Sequence, residues 1–103
     1  MKPLYYNSII MLDMVYGTAV EVVEQCCSEH GFTVVGVDHC VAKGNDPDVL
    51  FQSMRALVKK LNDSGFDVRR YKLESTLFDS SIRVEECRAL PSVVPVWQYG
   101  GAQ

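Results

Sequence analysis

Apolar positions fall along this chain in two rhythms. From Leu4 to Val15 they bunch, with Ile9, Ile10, Met11 and Leu12 forming a continuous run. Such a run, rather than an alternating one, predicts a strand covered on both faces. The rhythm then changes to three and four. Ala19, Val22, Val23, Cys26, Cys27 and His30 share one helical face, while Glu21, Glu24, Gln25, Ser28 and Glu29 take the other. Thr18 offers an N-cap hydroxyl, Glu21 three residues on completes a capping box, and Gly31 closes the helix. A second strand is predicted from Phe32 to Val41, where Thr33, Val34, Val35 and Val37 supply β-branched side chains.

After the loop Ala42-Lys43-Gly44-Asn45, Asp46 and Pro47 read as an N-cap followed by proline at the first helical position. Leu50, Phe51, Met54, Leu57, Val58 and Leu61 form the apolar stripe of this second helix, Arg55, Lys59 and Lys60 its wet side, and Gly65 its stop. Phe66 to Leu73 reads as a third strand, more exposed because it carries Arg69 and Arg70. From Glu74 to Leu90 the pattern is mixed. Asp79 or Ser80 could cap a short helix with Val84, Cys87 and Leu90, and that reading is preferred to the alternation of Ile82 and Val84. Val93 to Tyr99 reads as a last strand at an edge or bulge, since Pro95 removes a ladder donor. The order β-α-β-α-β-(α)-β predicts one α/β domain over 1–103, with a small, mainly parallel four-stranded sheet and helices on both faces.

Composition narrows the setting. A chain of 103 residues buries roughly two-thirds of its unfolded surface. With 48% hydrophobic and 22% charged residues it is expected to fold unaided. No apolar run approaches the ~20 residues of a membrane span, and no basic start with a cleavage site is present, so a cytoplasmic protein without a membrane partner is expected. The formal charge of -3 predicts no general attraction to nucleic acid or anionic lipid. Cys26, Cys27, Cys40 and Cys87 are then expected as reduced thiols.

In element order and length the chain resembles the thioredoxin-like fold. Leu90-Pro91-Ser92-Val93-Val94-Pro95, followed by Gly100-Gly101, looks like that family's proline-before-strand segment. The family's redox pair would fall after the second strand, where this sequence has Cys40-Val41-Ala42-Lys43, one cysteine instead of two.

A parallel sheet binds ligands beyond the carboxyl ends of its strands. There the pattern places Asp13 and Asp38 at two strand ends and Asp46 at the following helix start, with Asp48 and Glu74 on the same side. Converging carboxylates repel one another, and a bound Mg²⁺ or Mn²⁺ would relieve that repulsion. Asp13, Asp38 and Asp46 are therefore candidate metal ligands of a phosphoryl or phosphodiester hydrolase. The leading strand-end aspartate loosely resembles the opening of nuclease domains of the PIN and NYN type. The plainer reading makes Asp46 an N-cap, Asp48 a complement to the helix dipole, and Asp13 and Asp38 solvated strand ends. Lys43-Gly44-Asn45 could cradle a phosphate at the same helix start, but Asp46 and Asp48 would repel it.

Cys26 and Cys27 read as core packing, and His30 as packing or a C-terminal cap. Cys40 beside His39 is the candidate reactive thiol, although strand neighbours point to opposite faces. Trp97 and Tyr99 on the expected edge strand are a candidate homodimer contact. The function classes left standing are a non-catalytic interaction or small-ligand-binding module, which leads because no catalytic motif occurs, the metal-dependent hydrolase, and a thiol-dependent protein acting through Cys40.

Overall fold

Gly36, inside the stretch that reads as one strand from Phe32 to Val41, adopts φ +69°. That left-handed conformation is open to glycine and strained for β-branched residues. The chain turns back there, so two strands stand where the apolar pattern suggests one. A computed structural model describes residues 1–36 and 38–81, together with the backbone of 94–95. Its elements are β1 (Tyr5–Leu12), α1 (Ala19–Glu29), β2 (Thr33–Val35), β3 (His39–Gly44), α2 (Pro47–Asp63), β4 (Val68–Thr76) and β5 (Val94–Pro95).

The strand order is β2-β3-β1-β4, with β5 also pairing with β3, and every described pairing is antiparallel. This corrects the mainly parallel sheet expected from sequence. The βαβ crossovers exist, and β1 and β2 do point the same way, but β3 lies between them. In the same manner β1 separates β3 from β4. Two split βαβ units therefore interlock, the ferredoxin-like arrangement of supersecondary structure. The tight Gly36 turn reverses the chain once more than the sequence reading allowed, and every later element is inverted with it.

The helices also lie together on one side, not on both. Ile10 and Leu12 of β1 and Cys40 and Ala42 of β3 share one buried cluster with Val23, Cys26 and Cys27 of α1 and with Leu50, Met54, Leu57, Val58 and Leu61 of α2. These are alternate residues of each strand, as a one-sided sheet requires. The α2 stripe matches its predicted positions except Phe51, which is exposed, and Val22 of α1 is exposed as well. Along β1 the other set is Tyr5, Asn7, Ile9 and Met11; these face away from the helices, beside Val41 and Lys43 of β3 and Lys72 and Glu74 of β4.

The third strand, read as ending at Leu73, runs on to Thr76 into the stretch of mixed pattern, because Tyr5, Tyr6 and Asn7 pair with Thr76, Ser75 and Glu74. The short helix expected after an Asp79 or Ser80 cap falls, from residue 82 on, outside the described residues. Of the last strand only Val94 and Pro95 are described, and they pair with Lys43 and Ala42 on β3. No helix among the described residues is long and apolar enough to cross a membrane.

Candidate site at the end of the first strand

The inversion divides the expected acidic rim between the two ends of the sheet. At one end Asp13 directly follows β1, and the turn from Gly36 delivers Asp38 and His39 to the start of β3. Met11 pairs with His39, and the Leu12 N–H donates to the Asp38 carbonyl at 2.8 Å, so Asp13 and Asp38 stand on adjoining backbones. Asp46, Asp48 and Glu74 go to the opposite end. A six-residue strand separates the two ends by about 20 Å.

Asp46 is held by its own helix. Its Oδ1 accepts from the backbone N–H groups of Asp48 at 3.0 Å and Val49 at 3.2 Å, an N-cap in extended backbone ahead of Pro47. Glu74 forms an ion pair with Lys72 at 2.7 Å on the face away from the helices. Neither is brought to Asp13 and Asp38.

At the Asp13 end each acid has a partner. The Asp38 carboxylate binds His39 Nδ1 at 2.6 Å. That contact fixes the imidazole and directs its other nitrogen elsewhere, as a carboxylate does for a metal-bound or proton-transferring histidine. Asp38 and His39 remain 39% and 37% exposed, so solvent and a ligand can reach them. Asp13 is exposed and lies 3.4 Å from Arg69 Nε across the β1–β4 pair. Its N–H donates to the Asp67 carbonyl at 3.1 Å, which anchors the strand end. Met14 and Tyr16, both exposed, follow in the loop to α1, where the Tyr16 hydroxyl contacts Met14 sulfur at 3.3 Å. Among the described residues no group of three or more His, Cys, Asp or Glu side chains is placed to hold a metal ion.

His39 and Arg69 belong to this end, although neither was assigned to the acidic rim on sequence. The available signal was Gly36 ahead of Asp38-His39, a turn residue inside a strand pattern.

The thiol candidates separate differently. Cys40 is 0% exposed and faces the helices, with its side chain turned away from that of His39. It belongs to the same buried cluster as Cys27 of α1. Hydrogen bonding between the two thiols, followed by burial, pushes Cys27 well above the ordinary thiol range, and the same bond holds Cys40 below it. Cys26 packs in the core as expected, and His30 Nδ1 contacts the Cys26 carbonyl at 2.9 Å near the helix end. Cys87, Trp97 and Tyr99 lie outside the described residues. No known family, curated protein or solved structure matches this chain.

Proposed function

We propose that the Asp13 end of the sheet is the site of a divalent-metal-assisted phosphodiester hydrolase. One observation carries the reading: two carboxylates distant in sequence, Asp13 and Asp38, lie on adjoining backbones at one exposed rim, with His39 fixed by Asp38. A two-carboxylate site suits Mg²⁺ or Mn²⁺, which keep several waters and are completed by substrate phosphate rather than by an all-protein cage. The cation would polarise the phosphoryl oxygens and lower the pKa of an attacking water. Arg69 beside Asp13 would face the phosphate charge, and His39, held by Asp38, would move a proton. Exposed Met14 and Tyr16 offer the organic part of a diester an apolar surface.

The test is Mn²⁺-dependent hydrolysis of bis(p-nitrophenyl) phosphate and of a short single-stranded oligonucleotide by the full chain. Activity is expected to fall by about 10²-fold or more in Asp13→Asn and Asp38→Asn, and to survive in Asp46→Asn. Equal losses in all three variants, or turnover unaffected by chelation, would overturn the reading.

A non-catalytic interaction module is the second reading, supported by Leu77 and Phe78. These neighbours after β4 are 49% and 77% exposed. Such a module would be a homodimer through Trp97 and Tyr99, the contact expected from sequence. Sedimentation separates the two versions: mass rising with concentration and falling in Trp97→Ala supports the dimer, and a monomer throughout removes it.

A further inference from the structure

β1 is apolar on both faces, and both helices lie on one of them. Ile10 and Leu12 belong to the cluster under the helices, whereas Ile9 and Met11 face away and stand outside it. Ile9 pairs with Val41 and Met11 with His39, and His39 pairs on its other side with Val35, which is half-exposed. Two neighbouring rows across the open face therefore carry Ile9, Met11, Val41 and Val35. A continuous run such as Ile9 to Leu12 belongs to a strand enclosed from both sides. We propose that residues 96–103 of the same chain cross this open face, with Trp97 seated over Val41 and Ile9, and give the sheet its second cover.

The register of β5 sends the chain there. Val94 and Pro95 pair with Lys43 and Ala42 along the edge of β3 opposite β1. β5 runs antiparallel to β3, so the next position in the ladder is Val41, and Thr33 of β2 already holds it. Residue 96 therefore leaves the sheet at that point. The helix side is closed, because Phe32, immediately before Thr33, is buried in the core and its N–H donates to the Cys27 carbonyl at 2.8 Å. The open face is the remaining exit.

The reach of the segment fits. An extended chain spans at most about 3.6 Å per residue, and paired strands stand about 4.8 Å apart. Two residues past Pro95, Trp97 comes over Val41 and toward Ile9. Tyr99, two further on, reaches the β4 side, where Lys72 lies opposite Ile9. Alternate side chains of an extended segment share a side, so Trp97 and Tyr99 both turn to the sheet and Gln98 to water. This assigns the two aromatics to their own chain and not to a second copy, and it stands apart from the hydrolytic reading.

Trp97 is the one tryptophan of the sequence, so indole fluorescence of the full chain reports on it alone. The native emission is expected to lie to the blue of the urea-unfolded chain, with weaker quenching by acrylamide, and to stay unchanged on dilution. Val41→Glu is expected to remove the blue shift and raise quenching to the unfolded level while the far-ultraviolet circular dichroism is retained. Val22→Glu, on the exposed side of α1, should leave both unchanged. Native emission equal to that of the unfolded chain, or a folded Val41→Glu that keeps the blue shift, overturns the proposal. So does a blue shift lost on dilution, which gives the face to a second copy. Should Val41→Glu fail to fold, nuclear Overhauser contacts in the dilute native chain decide: contacts from the indole ring to the Val41 and Ile9 methyl groups support the proposal, and their absence overturns it.

Discussion

Ser8 carries a hydroxyl into the central strand, where it is 0% exposed and its oxygen has no hydrogen-bond partner. A buried, unpartnered hydroxyl loses its water contacts without compensation. Ser8→Ala is therefore expected to stabilise the chain by about 1 kcal/mol, read as a higher urea midpoint; a lower midpoint would mean the hydroxyl is satisfied in solution. On the opposite face Tyr5 is covered rather than exposed. Its hydroxyl donates to Asp79 at 2.5 Å, and Lys43 Nζ lies 4.7 Å from its ring centre. Hydrogen bonds from Ser81 and then Tyr5 hold the Asp79 carboxyl down at about 2. A depressed folded-state value means that this contribution is complete above the unfolded value near 3.8 and is lost as pH falls toward 2. Asp79→Asn should flatten the stability curve between those limits and leave it unchanged near neutrality in its pH slope. Asp46 is legible at this scale, because an aspartate before proline at a helix start has one dominant local use. Asp46→Ala should cost about 1 kcal/mol and Asp46→Asn much less, by thermal unfolding.

Among the elements, α2 is the one that sequence describes best. Its cap, its Pro47 and its stripe of Leu50, Met54, Leu57, Val58 and Leu61 all follow from local geometry and a 3.6-residue period. Leu57→Ala should cost about 2–5 kcal/mol, since the side chain is wholly enclosed, whereas Phe51→Ser at the exposed margin should stay within about 0.5 kcal/mol. The Phe32–Val41 stretch is the element that misleads. Valines on either side of Gly36 satisfy a strand pattern equally well as one strand or as a hairpin, because composition and period are the same in both. A Cβ at Gly36 would meet only Asp38 Oδ1 at 3.9 Å, so the obstacle to substitution is conformational. Gly36→Ala is expected to cost about 1–2 kcal/mol and Gly36→Asn less. Both variants should also lower any metal-dependent activity by displacing Asp38 and His39, to be compared by turnover at equal folded fraction.

For the whole molecule, the inverted direction of β3 decides which acids share an end of the sheet. Asp13 and Asp38 stand on adjoining backbones through a hairpin turn and not, as a parallel sheet would have it, at the carboxyl ends of two neighbouring strands. Asp46 leaves for the far end by the same reversal. The outer strand β4 carries Arg69, Arg70 and Lys72. Charges on an edge strand discourage pairing with another sheet. Arg70 and Lys72 sit opposite Met11 and Ile9 on the face away from the helices, so replacing both by valine extends an apolar surface up to the edge. The double variant Arg70→Val with Lys72→Val is expected to self-associate at concentrations where the native chain does not, as light scattering would register.

The sequence by itself determined the local decisions: where helices start and stop, which faces of them are apolar, that β1 is central, and that Asp46 caps a helix. Each depends on residues within one or two turns of one another. Only the tertiary structure decided strand direction, the placing of both helices on one face and the adjoining backbones of Asp13 and Asp38. Those outcomes turn on a single reversal at Gly36, and on β3 and β1 being inserted between strands that the crossovers alone would have made neighbours. An apolar pattern specifies that a strand is covered, but it carries no record of the direction in which that strand runs or of which strand lies beside it.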